Sequence, residues 1–150
     1  MTDTRFAWTP DLSVGVEAID AQHRELFDRV SALLSAVASR READEVFRTL
    51  AFLGDYVIAH FEDEERLMQV EGYPDLPQQL AEHAHFHARF NQLCRKFARA
   101  GVDATLSVDL RHVVCDWLVH HVRGSDAALG RWLNAREAAL EAEAAAPRSK

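Results

Sequence analysis

The stretch HFEDEERLM, residues 60–68, decides how this chain is read. His60 and Glu64 are four residues apart, about 400° of an α-helix, so they leave one face and can meet a single ion. They sit inside a longer run, from about Glu42 to Val70, whose apolar set Val46, Phe47, Leu50, Leu53, Val57, Phe61 and Leu67 keeps helical spacing. Gly54 interrupts that run at modest cost. The spacing recurs elsewhere. His83 and His87 are four apart, His121 and Asp126 are five apart, and His23 stands alone after an acidic turn. Imidazole nitrogen mixed with carboxylate oxygen suits iron, manganese or zinc, and the supply exceeds what one mononuclear centre needs. Two metals are implied.

The segments around these residues also read as helices. Leu26, Phe27, Val30, Leu33, Leu34 and Val37 make an amphipathic helix from Asp20 to about Arg40, with His23 in its first turns. Gly72-Tyr73-Pro74-Asp75 is a breaker cluster, and Pro77 suits the first residue of a third helix running to about Ala100. Leu80, Phe86, Phe90, Leu93 and Phe97 are expected on its core side. Ser107 or Thr105 is expected to cap a fourth helix reaching about Val122, with Leu110, Val113, Val114, Trp117 and Leu118 apolar. Beyond Gly124 a separate C-terminal helix is expected, fraying at Pro147. Residues 1–17, with alternating Leu12, Val14 and Val16, read as an extended arm over the core, anchored by Trp8. The expected architecture is all-α: an antiparallel up-down four-helix bundle with an extended N-terminal arm and a C-terminal helix. Residues 1–150 are read as one domain, with a core of about 8–130 and a C-terminal helix and tail over 131–150.

With 150 residues the chain is long enough to bury a core without disulfides. Its 48% hydrophobic and 27% charged content is that of a globular protein, and a formal charge of −7 argues against nucleic acid or an anionic membrane as partner. No stretch approaches about 18 apolar residues, and MTDTRFAW lacks the basic and apolar regions of a signal peptide, which favours a cytoplasmic location. Cys94 and Cys115 form no C-x-x-C pair and read as small buried hydrophobes.

The five-residue spacing of His121 and Asp126 leaves them about 140° apart on a regular helix. A loosened turn at Arg123-Gly124-Ser125 would bring Asp126 back toward the site. His120 lies about 100° from His121 and cannot point at the same ion; His85 and His112 are assigned to the surface or the outer surroundings of the site. Asp20-x-x-His23 and Asp109-x-x-His112 superficially match the Glu-x-x-His pairs of ferritin-like bundles, but use Asp and lack the extra helical glutamates.

Five strings carry a resemblance: LSVGVEAIDAQHRELF (12–27), HFEDEERLM (60–68), GYP (72–74), the H-x-x-x-H of 83–87, and WLVHHVRGSD (117–126). In this order, over about residues 8–130, the chain resembles the bacterial hemerythrins, single-domain oxygen-binding proteins. The resemblance implies two iron ions. One is held by His83, His87 and His121, the other by His23 and His60, with Glu64, Asp126 and a solvent-derived oxo or hydroxo group as bridges. The second iron keeps an open position for dioxygen, and Trp117 and Leu118 are implied as the wall of the oxygen pocket. The third helix departs from the family pattern. An ungapped match puts Gln79 at the first histidine position, with His83 second and His87 a bystander. The reading adopted inserts one helical turn near residues 76–79 and restores His83 and His87 as the pair; Gln79 as a weak ligand is its competitor.

The expected function is reversible dioxygen binding for storage, delivery or scavenging, without turnover. The alternatives are a di-iron enzyme acting on peroxide, nitric oxide or ferrous iron, and an oxygen- or iron-sensing interaction module. Histidine-rich ligation with few carboxylates favours oxygen binding over oxygen activation. No protein partner is identified by the sequence.

Overall fold

The computed structural model describes residues 6–147. Three helices, α1 (Glu17–Ala38), α2 (Ala43–Glu71) and α3 (Leu76–Ala100), are followed by a fourth helical rod over residues 104–145. The four rods run alternately up and down by short turns, and each touches its two neighbours in a closed ring: α1 on α2, α2 on α3, α3 on the fourth rod and that rod on α1. This is the expected antiparallel bundle.

Each rod buries one stripe. On α1 it is Ile19, His23, Leu26, Phe27, Val30, Leu33 and Val37, and on α2 it is Val46, Leu50, Leu53, Val57, His60, Phe61, Glu64 and Met68. On α3 the steps of four and three run Gln79, His83, Phe86, Phe90, Leu93, Phe97. The polar members of these stripes occupy ordinary core positions. Leu80 was expected on the core side but is exposed, as are Phe47 and Phe52. The reason for Leu80 is phase: it lies roughly 100° from the centre of the stripe that Phe86, Phe90, Leu93 and Phe97 define.

The ends of the rods follow from local chemistry. Gly72, at φ 73°, closes α2 in the left-handed conformation, its N–H bonding back to the carbonyl of Gln69. The fourth rod is capped by Asp103, whose carboxylate accepts from the N–H groups of Thr105 and Leu106. The expected caps, Ser107 and Thr105, lie inside the helix, and Thr105 donates its own hydroxyl to Asp103 instead. A carboxylate at the dipole's positive end is the better cap.

The fourth rod does not stop at Gly124, so the C-terminal helix is its continuation. It contains two wider, π-type segments, Arg111–Asp116 and Val122–Asp126. In the second, the Ala127 N–H reaches the Val122 carbonyl five residues back, while His121, Val122 and Ala127 all keep right-handed helical angles. The loosening expected near Gly124 is there, as a bulge in a continuous helix.

The arm lies over the bundle as the alternation of Leu12, Val14 and Val16 suggested: Leu12 and Val14 are buried, with exposed Ser13 and Gly15 between and after them. Phe6 stacks on Phe27 at 4.5 Å, and Trp8 packs on the core under Arg24. Buried Asp20 ties the arm down, accepting from the Val14 N–H at 2.9 Å and from the Ser13 hydroxyl at 2.5 Å. Asp20 therefore serves the arm and not the metal-ligand cluster. Opposite it, Gly130 is buried with no room for a side chain, since a Cβ there would stand 1.9 Å from the Val14 carbonyl oxygen. Gly130→Ala is expected to push the arm off the fourth rod and cost about 2–3 kcal/mol, a fall of roughly 5–10 °C in the thermal midpoint measured by circular dichroism.

Candidate metal centre

At one level of the bundle the four stripes stop being apolar. Among the described residues the buried polar and charged side chains are Asp20, His23, His60, Glu64, Gln79, His83, His121 and Asp126. All but Asp20 meet in this layer: α1 sends His23, α2 sends His60 and Glu64, α3 sends Gln79 and His83, and the fourth rod sends His121 and Asp126. The bulge of the fourth rod makes the last pair possible. A turn closed over five residues brings His121 and Asp126 onto one face, where His121 Nε2 lies 3.2 Å from Asp126 Oδ1.

Their distances describe two overlapping groups. His23 Nε2 stands 3.1 Å from Asp126 Oδ2 and 3.9 Å from Glu64 Oε2, and His60 Nε2 stands 2.5 Å from that same Glu64 oxygen. On the other side His83 Nε2 and His121 Nε2 approach to 3.3 Å. Ligand atoms of His23, His60, Glu64 and Asp126 form one set within 4.8 Å of one another, and those of Glu64, His83 and His121 form a second. Glu64 belongs to both, and Asp126 Oδ1 touches the second set through His121.

Many of these atoms have no hydrogen-bond partner in the protein: both nitrogens of His23, both oxygens of Glu64, Oε1 of Gln79, Nδ1 of His121 and Oδ2 of Asp126. The close approach of His60 to Glu64 is thus a crowding of acceptors without hydrogen-bond alignment at the carboxylate. A buried orphan of this kind costs several kcal/mol, and one bundle does not collect so many without a compensating ligand. Two sets of imidazole and carboxylate donors with Glu64 in common suit transition-metal cations.

Two outward nitrogens are held from behind: His60 Nδ1 meets Gln22 Oε1 at 2.7 Å and His83 Nδ1 meets Glu65 Oε2 at 3.1 Å. Such partners fix the tautomer so that Nε2 offers its lone pair inward. The electrostatics agree with a site built for positive charge. Burial opposes protonation of His23, yet the adjacent Asp126 and Glu64 outweigh it and raise its pKa to about 9. Burial likewise opposes charge on His121, and Asp126, Glu64 and Glu82 raise it. His83 is governed by burial, which holds it near 4. Burial disfavours the Asp126 carboxylate, but the adjoining Glu64, His121 and His23 hold its pKa well below the usual range.

The structure thus brings together His23, His60, Glu64, His83, His121 and Asp126. It leaves His87 out, a correction to the register adopted from the sequence. His87 is exposed on α3 at the edge of a groove with Ile58, Glu62, Leu80 and Ala84, while Gln79 is buried at 1% exposure. The cause is the phase that exposes Leu80: His87 is about 80° from the centre of the α3 stripe, and Gln79 lies on it. The stripe Phe86, Phe90, Leu93, Phe97, counted back by four and three, reaches His83 and Gln79 and was the signal available. His85, His112 and His120 are exposed. Trp117 stacks on His121 at 4.5 Å and touches Phe61 and Phe86, and Leu118 is buried beside it. Burial pushes the Cys115 thiol up to about 11, in keeping with an inert core residue.

Fold and site together define an all-helical protein whose core carries a binding layer for metal cations. Residues 14–133 match the Hemerythrin HHE cation binding domain. The chain is 36% identical over 129 residues to a bacteriohemerythrin of Methylococcus capsulatus, covering 85% of this chain and 96% of that one. It is 35% identical over 121 residues to a bacteriohemerythrin of Stenotrophomonas maltophilia, covering 81% and 76%. A crystal structure of wild-type hemerythrin superposes with a TM-score of 0.74 at 32% identity, covering 83% of this chain and 95% of that one. The chain belongs to the hemerythrin family.

Elemental analysis of the purified protein checks the ligand assignment. His87→Ala is expected to keep the wild-type metal content and a stability within about 0.5 kcal/mol, as for other exposed positions. His121→Ala is expected to lose at least one of the metals.

Proposed function

We propose that this protein binds dioxygen reversibly at a non-haem di-iron centre, which His83 and His121 would hold on one side and His23 and His60 on the other, with the Glu64 and Asp126 carboxylates shared between them. The observation that carries the reading is the pair of buried donor sets sharing Glu64. When bound, the two irons supply the reversible electron transfer with which dioxygen is taken up and given back.

The chain's own residues do the rest. Gln22 and Glu65 hold the His60 and His83 rings in register, so ligand geometry changes little between states. Phe61 is the main water barrier: its ring stacks on His83 at 3.8 Å with the planes 3° apart, and it meets Trp117 and Phe86 edge-on. Trp117 and Leu118 extend that apolar wall along the fourth rod. Such a lining favours release of an unaltered gas over proton-driven side reactions. A cleft of about 360 Å³ between α1 and α2, lined by Ala18, Ile19, Gln22, Asp63, Leu67 and Val70, has Glu64 in its wall. Four imidazoles against two carboxylates favour a stable lower oxidation state over the high-valent iron of oxygen-activating centres. The reading is therefore a binding protein and not an enzyme.

Anaerobic reconstitution with ferrous iron, followed by repeated exposure to air and to argon, tests this. Visible bands that appear in air and vanish under argon over many cycles, with two irons per chain, are the expected result. Steady consumption of oxygen, or of added peroxide or nitric oxide, would instead assign the centre to turnover.

A further inference from the structure

The α3 residue that took the place expected for a histidine has a chemistry of its own. Gln79 is 1% exposed, one helical turn before His83, and its amide Nε2 donates to Asp126 Oδ1 at 3.1 Å. Its carbonyl oxygen Oε1 is buried and has no hydrogen-bond partner. A glutamine carries two donors and two acceptor sites, and in a bundle core every one left idle costs free energy. Here the donor end is used, on a carboxylate that itself belongs to the candidate centre, and the acceptor end is buried and unused.

We infer that Gln79 Oε1 is a metal ligand, completing the donor set of His83 and His121. This rests on the di-iron reading above and deepens it. The amide makes the two halves of the centre unequal in a way histidine would not. One position has His23 and His60 with the shared carboxylates; the other has His83, His121 and a neutral carbonyl oxygen, a harder and weaker donor than imidazole. The Gln79 position thus holds its cation less tightly than a third histidine would. The N–H bond from the same amide to Asp126 ties the ligand to the bridging carboxylate, so that one side chain both binds and orients.

The test uses anaerobic protein loaded with ferrous iron, challenged with a chromogenic ferrous chelator, and X-ray absorption of the same samples to count imidazoles per iron. Wild-type protein is expected to hold two irons released in two phases, with about two imidazoles per iron. In Gln79→Leu one iron is expected to leave at least about tenfold faster than in the wild type, the other unchanged. Loss of a purely supporting hydrogen bond also costs about 10–100-fold, so two further variants decide the matter. Gln79→Glu keeps an oxygen in place but removes the N–H: a ligand role predicts that it holds that iron better than Gln79→Leu does. A purely supporting role predicts release as fast as from Gln79→Leu or faster, since two carboxylates then oppose each other. Gln79→His is expected to raise the count to about two and a half imidazoles per iron and to slow the release of one iron. Two irons in the wild type with release insensitive to Gln79→Leu, or release from Gln79→Glu as fast as from Gln79→Leu, or no gain of imidazole in Gln79→His, would overturn this inference alone. Fewer than two irons in the wild type would overturn the di-iron reading with it.

Discussion

Everything in this bundle is arranged around one electrostatic debt: two ionisable carboxylates and four imidazoles sit in a hydrophobic core, at most 3% exposed. Transfer of such groups from water is unfavourable by several kcal/mol each unless something of opposite charge meets them. The His23 imidazole, drawn to a pKa of about 9 by Asp126 and Glu64, shows how strongly the layer calls for positive charge. Protons meet the demand only partly, because a proton bound on Nε2 serves one acceptor while a cation serves several. A cation bound in this layer would therefore add to the stability of the fold, as in other small metal-binding domains.

The donors reach this layer by two different local devices. On α1, α2 and α3 they occupy positions that any core residue would take, so the regular helix delivers His23, His60, Glu64 and His83 without distortion. On the fourth rod it cannot, and the wide turn Val122–Asp126 supplies the missing rotation. Such a turn gives up regular i→i+4 hydrogen bonds, and it persists here because His121 and Asp126 are both needed inside. Gly124, exposed and in the middle of that turn, adds no side chain to a stretch already wider than a normal helix.

Much of this was legible in the sequence because periodicity reports burial and spacing reports facing. The four rods, the alternating arm and the pairing of His60 with Glu64 all follow from positions three, four or two apart. What was misread shares one cause. A four-residue spacing places His83 and His87 on similar faces but says nothing of where that face points; the answer lay in the phase of the aromatic stripe, which buries Gln79 and exposes both Leu80 and His87. The resemblance to a family favoured the His83 and His87 pair and left Gln79 as the competing ligand; the burial of Gln79 and the exposure of His87 put the glutamine in the layer. The end of the fourth rod was misplaced for a related reason. Gly124 reads as a stop in one dimension, whereas here it sits in a bulge whose purpose is set by tertiary contacts. The Asp103 cap was passed over for Ser107 and Thr105, although a carboxylate two residues before Thr105 satisfies the same N–H groups.

The arm joins these observations. Its Val14 N–H is held by Asp20, one turn before His23 on α1, and its Val14 carbonyl lies against Gly130, one turn after Asp126 on the fourth rod. Asn134 adds a hydrogen bond to the Gly15 carbonyl at 3.0 Å. The arm thus clamps the two helices whose buried donors, His23 and Asp126, stand 3.1 Å apart inside. A helix pair free to splay by an ångström would separate those donors and weaken every bond to a shared cation, since ligand geometry tolerates little displacement. Gly130 is small so that the arm can lie close, and Asp20 is buried and charged so that it stays. A segment that lies outside the four rods thus ties together the two helices that carry His23 and Asp126.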